Sequence, residues 1–206
     1  MSGLRAFRLM VWAAIVVLGM FVIVSTQLSG GSPTVETSSG TAKVGGPFSL
    51  VSHTGERVDN QSLAGRPYLV FFGFTYCPDI CPTTLFELTD LMTELGPVAD
   101  GFEVLFITVD PERDTQEALA SYMTSFDSRI LALRGTAAET DSALKAFSAY
   151  AKKVPLEAGE YTMDHTAGVF LMKSDGSFGG VMDMHEPRET RLEKLRRIAR
   201  DQVTGS

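Results

Sequence analysis

The segment YLVFFGF, residues 68–74, is an unbroken apolar run, the pattern of a strand buried on both faces. FEVLFITVD, residues 102–110, reads as a second buried strand, and RILALRG, residues 129–135, as a short third one. Between them the period changes. Leu85, Leu88, Leu91, Met92 and Leu95 recur at helical spacing within residues 83–98, and Gly96-Pro97 should stop that helix. Residues 110–126 predict a loop and a helix, with Asp114 as the N-cap and Glu117 at the spacing of a capping box. Residues 136–154 predict a third helix. Ahead of the first long strand, short alternations around Thr54-Gly55 in residues 47–67 predict a small hairpin. Residues 165–182 read as two strands joined at Asp175-Gly176, and residues 186–203 as a C-terminal helix with Pro187 near its start. Strands alternating with helices imply βαβ units, and the last two strands should close the sheet as an antiparallel pair, so the fold class is α/β. No internal repeat interrupts this order.

A different pattern opens the chain. From Leu9 to Val24 there are sixteen residues without a charge or strongly polar group, preceded by Arg5 and Arg8, and the uncharged stretch continues to Leu28. About twenty helical residues span a hydrocarbon core, and the arginines should stay cytoplasmic. A cleaved signal peptide would end at small residues in an A-x-A-like pattern; none follows Val24, and no nearby cysteine offers lipoprotein processing. Residues 1–28 are therefore expected to be a cytoplasmic tip and a single transmembrane helix. Residues 29–46, rich in Gly, Ser and Thr, are expected to be a flexible linker, reaching on the order of 23 Å end to end as a coil. The folded domain, 47–206, is then expected outside the cytoplasm: a single-pass protein of a bacterial inner membrane with its C-terminal domain in the periplasm.

Charge narrows the partners. Over 206 residues the net charge is -7, and the one basic cluster, Arg188 to Arg200, is interleaved with glutamates. That reads as a solvated helix face and argues against nucleic acid, which demands a concentrated positive surface.

The chemistry lies in FTYCPDICP. Cys77 and Cys81 are the only cysteines. A bridge between residues this close constrains little of the unfolded chain, so redox or metal chemistry explains the pair better than stapling. A cysteine pair where the first long strand meets its helix is the arrangement of a thioredoxin-like fold, and a helix N-terminus favours thiolate there. Three residues separate the thiols, one more than in a thioredoxin-type motif, and two thiolates alone leave a metal under-coordinated. Of the three histidines, His53 reads as a surface residue of the hairpin and His185 stands after the last strand; Met182, Met184 and His185 read as packing and surface residues before a second metal patch. His165 stands just before a strand that should lie beside the Cys77 strand, where thioredoxins carry a cis-proline. It is either the third ligand or a loop residue that supports the site. Two thiolates and an imidazole suit Cu(I) and also hold Cu(II), whereas zinc would want a fourth ligand. Asp110 ends its strand at the same edge as Cys77; it either orients the site or docks a partner, or it organises the turn into the next helix.

Together GFTYCPDICPTTL, VDPERDT and DHTAGVFLMKSDG, in this order, resemble the Sco/SenC family of membrane-anchored copper proteins, over residues 44–203 and the N-terminal anchor. The resemblance implies a thioredoxin-like domain that binds one copper ion through Cys77, Cys81 and His165. It further implies a chaperone that delivers copper to the dinuclear centre of cytochrome c oxidase subunit II, or of a related oxidase. Other copper chaperones and thioredoxin-like reductases are the further partners expected. The alternative is a thiol-disulfide oxidoreductase, with Cys77 and Cys81 as reacting thiols, that keeps the acceptor cysteines reduced; it needs no His165. Peroxide chemistry is a third reading that no motif specifically supports.

Overall fold

The three apolar runs form the middle of one sheet. The structure, a computed structural model, describes residues 3, 12–13, 15–21 and 44–201. In chain order its elements are β1 (Ser49–Ser52), β2 (Arg57–Asp59), β3 (Tyr68–Gly73), α1 (Ile80–Leu95), β4 (Glu103–Thr108), α2 (Gln116–Met123), β5 (Ile130–Arg134), α3 (Ala137–Ala146), β6 (Ala151–Pro155), β7 (Tyr161–His165), β8 (Val169–Met172), β9 (Phe178–Met182) and α4 (Arg188–Ala199). Seven strands make the main sheet in the order β2-β1-β5-β4-β3-β8-β9, while β6 and β7 pair only with each other.

Every residue of β3 is buried, because β4 lies parallel on one side and β8 antiparallel on the other. Burying one Phe or Leu side chain contributes roughly 1.5–3 kcal/mol, and Leu69, Val70, Phe71 and Phe72 are all fully buried here. This fixes the strand register, and the register positions the site. Parallel pairing of β3 with β4 sends the loops after Gly73 and after Thr108 to the same edge. Antiparallel pairing, Val70 opposite Phe170 and Tyr68 opposite Met172, brings the start of β8 to that edge as well. Three loops distant in sequence thus meet at one end of the sheet, the thioredoxin-like arrangement.

Two helix expectations are corrected. The cap of α2 is Thr115, whose hydroxyl accepts from the Ala118 N–H at 3.1 Å; Asp114 faces inward instead. The third helix stops at Ala146, where the expected one continued to residue 154. Phe147 is drawn into the core against Phe48, Phe72 and Phe170, with ring centroids 5.7–5.8 Å away, and Ser148 takes a left-handed φ of 52°. That turn ends the helix and starts β6. The β6–β7 hairpin leaves no clear mark in the sequence because most of its residues are exposed or half-buried, so no strict alternation is imposed.

The chain divides into two compact units, Met1–Thr41 and Ala42–Ser206. In the first, residues 12–13 and 15–21 are helical and exposed. Among the described residues no helix is long and apolar enough to cross a membrane. Most of the expected 1–28 anchor and of the 29–46 linker lies outside the described residues, as do 202–206.

Candidate metal centre

The first turn of α1 is built around sulfur. Asp79 stands at the N-cap but its side chain makes no cap bond. The Cys77 sulfur takes that place, accepting from the Cys81 N–H at 3.4 Å. Cys81, one turn on, is fully buried, and Cys77 is half-buried. Both are free thiols.

His165 arrives from the end of β7. Its Nδ1–H donates to the Thr166 carbonyl oxygen at 3.1 Å, which leaves the Nε2 lone pair facing the Cys81 sulfur at 3.5 Å. Phe71 and Phe74 meet the imidazole edge-on, with centroids 6.3 and 5.7 Å away. The ligand atoms of Cys77, Cys81 and His165 all lie within 4.8 Å of one another. Among the described residues this is the group of His, Cys, Asp and Glu that can hold a metal ion. Two soft sulfurs and one imidazole are a donor set for Cu(I) or Cu(II).

Burial sets the protonation states. It pushes the Cys81 thiol well above its ordinary range; the Phe74 backbone opposes this, and the neighbouring Cys77 and Asp114 add to it. Burial also lowers the His165 imidazole, so the ring is held neutral with its lone pair available. Without a metal, Cys81 is a thiol that can donate to His165.

Several contributors escaped the sequence reading. Asp114 is fully buried. It accepts from the Thr75 N–H at 3.1 Å, the Thr75 hydroxyl at 2.6 Å and the Thr108 hydroxyl, and burial raises its carboxyl against those bonds. It thereby fastens the start of the cysteine loop to the end of β4. Only its placement between two threonines that are remote in sequence reveals this. Gly73 lies directly under the site. A Cβ there would fall 2.8 Å from the Cys81 sulfur and 2.7 Å from the Phe106 ring. We expect Gly73→Ala to displace Cys81, destabilising the domain by roughly 1–3 kcal/mol and weakening metal binding beyond that; a denaturant titration beside a metal titration separates the two effects.

The remaining candidates fall elsewhere. His53 is tied to β5, its Nδ1 accepting from the Ala132 N–H at 3.2 Å. His185 is 98% exposed and pairs with Asp183, and Met182 is fully buried, so these do not form a second metal patch. Asp110 is buried but touches no ligand: it pairs with Arg113 and accepts from the Tyr161 hydroxyl at 2.9 Å.

The comparisons agree with this geometry. The profile of the SCO1/SenC family matches residues 36–200. The human mitochondrial SCO1 homolog is 40% identical over 138 residues, covering 66% of this chain and 46% of its own length. The chain spans about half the length of the curated relatives it first matches. Among solved structures, Bradyrhizobium japonicum ScoI with copper bound aligns with a TM-score of 0.71 and 43% identity, over 75% of this chain and 99% of that one. BsSco, described as a member of the Sco family of cytochrome c oxidase assembly proteins with a disulfide switch, aligns with a TM-score of 0.59 and 25% identity, over 77% and 94%. Family profile, curated relatives and solved structures thus agree in sequence and in backbone, and the chain belongs to the SCO1/SenC family.

Proposed function

We propose that this protein is a membrane-anchored copper chaperone that holds one copper ion between Cys77, Cys81 and His165 and delivers it to the dinuclear copper centre of cytochrome c oxidase subunit II during assembly. One observation carries the reading: three ligand atoms from two segments 84 residues apart converge within 4.8 Å. The copper-bound relative and the relative described as an oxidase assembly protein support the cargo and the acceptor. Residues 1–28 anchor the chain in a bacterial inner membrane, 29–46 are the tether, and 47–206 work in the periplasm. The charge-free run from Leu9 to Val24 behind Arg5 and Arg8 supports this placement.

Delivery follows from unequal attachment. Cys77 sits in the loop that joins β3 to α1 and Cys81 in the first turn of α1, whereas His165 sits on a separate hairpin. An incoming thiolate or imidazole on the acceptor displaces His165 first, since that ligand withdraws without breaking a strand of the main sheet; the sulfurs follow. Both thiols must be reduced for loading.

A second reading has its own support. Cys77 and Cys81 are free, and their sulfurs lie within 4.8 Å of each other, close enough for a thiol-disulfide oxidoreductase that reduces the acceptor cysteines. His165→Ala separates the two in cells lacking the native protein. The chaperone reading expects copper binding by the variant and oxidase assembly to fail together. Normal assembly with a variant that holds no copper would establish the reductase in its place.

A further inference from the structure

The hairpin that carries His165 shares no hydrogen-bonded strand with the sheet that carries the cysteines. A two-stranded hairpin is marginal by itself, so its side-chain attachments decide where the imidazole stands. We propose that Arg113 is the positioning residue that fastens this hairpin, and with it His165, against the cysteine loop. The inference rests on the reading of His165 as the third ligand.

Arg113 lies in the loop between β4 and α2 and reaches three segments at once. Its Nε donates to Asp110 in its own loop. Its Nη1 donates to the Tyr161 carbonyl oxygen of β7 at 2.9 Å. The guanidinium carbon stands 3.8 Å from the centre of the Tyr161 ring and 4.6 Å from that of Tyr76, the residue before Cys77. It also lies 5.8 Å from the centre of Phe74, whose ring packs edge-on against His165 at 5.7 Å. Asp110 closes the arrangement by accepting from the Tyr161 hydroxyl at 2.9 Å. Tyr161 and His165 are the two ends of β7, so what fixes one end orients the other.

The rival tie is weaker. Lys153 of β6 pairs with Glu112, but those side chains are 44% and 65% exposed, and water competes for such pairs. The Arg113 and Asp110 side chains are 18% and 0% exposed, so their bonds are made away from water. Arginine is needed for its shape. A planar fork can meet a carboxylate and a carbonyl oxygen while its charge lies over aromatic rings; a lysine ammonium keeps the charge but not the fork.

The test is amide hydrogen exchange on the metal-free, full-length chain, paired with electron spin resonance after Cu(II) loading. Two variants are compared with the wild type: Arg113→Lys, and the double replacement Asp110→Asn/Arg113→Met, which leaves no lone buried charge. In both we expect amides of residues 151–154 and 161–165 to exchange roughly tenfold faster or more through local opening, with β3 and β4 unchanged. The hyperfine splitting from an imidazole nitrogen should weaken or become heterogeneous. Wild-type exchange in the hairpin with an intact nitrogen signal would overturn the proposal. So would acceleration spread equally over β3 and β4, which would make Arg113 an ordinary stabiliser. A wild-type protein that bound copper without any nitrogen signal would instead remove His165 as a ligand, and the exchange data would still score the clamp.

Discussion

Replacing Cys77 and Cys81 together by serine is expected to take copper binding by the full-length chain from stoichiometric to background. Serine keeps the size of the side chain but removes the soft, ionisable ligand. One imidazole from His165 then remains among the three converging ligands, too few to hold Cu(I). The fold should survive, since Cys77 is half-buried and Cys81 packs as one small member of a large apolar core. Its hydroxyl would still face the His165 nitrogen that Cys81 meets at 3.5 Å. Anaerobic titration with Cu(I), read by metal analysis after gel filtration, checks this beside a thermal melt. A folded double variant that kept wild-type affinity would refute the assignment of the site.

The second large effect is a dependence of affinity on pH. Burial holds Cys81 protonated throughout the physiological range in the metal-free protein, and a thiol must lose its proton to bind metal. Each proton displaced makes binding about tenfold tighter per pH unit. Cys81 alone therefore predicts roughly a hundredfold loss of affinity over a fall of about two pH units. His165 adds nothing to the slope near neutrality, because burial lowers its imidazole and keeps it neutral there. It acts on stability instead. Below the ordinary imidazole value of 6.5 the unfolded chain takes up a proton that the folded one refuses, so stability present above that value is lost as pH falls through it. Competition against a chromophoric Cu(I) chelator at several pH values measures the affinity slope; a flat profile would show that Cys81 does not bind as a thiolate. Denaturant titrations of the metal-free wild type and of His165→Gln measure the stability effect, which the variant should lack.

Much of the fold was legible because burial imposes a period. The run at 68–74 had to be a central strand, since a wholly apolar strand is stable only with neighbours on both sides, and β3 is flanked by β4 and β8. The helix after the cysteines was legible from Leu85, Leu88, Leu91, Met92 and Leu95, all of which are buried. Where burial imposes little, the reading failed. Residues 151–154 looked like the end of a helix and belong to the strand Ala151–Pro155, four of whose residues are exposed. Asp114 looked like a cap because the spacing to Glu117 fits one; the threonines that bind its carboxylate, Thr75 and Thr108, could be recognised only once β3 and β4 were paired.

The sequence by itself determined the donor types: two thiols at a strand–helix junction, one histidine ahead of a buried strand, and hence a preference for a soft cation, because ligand chemistry belongs to residue identity. Tertiary structure alone decided that these donors meet, that Gly73 leaves room for the inner sulfur, and that the imidazole rides on a hairpin pinned by Arg113. Those facts depend on strand register and on contacts between segments far apart in the chain, and no local periodicity encodes either.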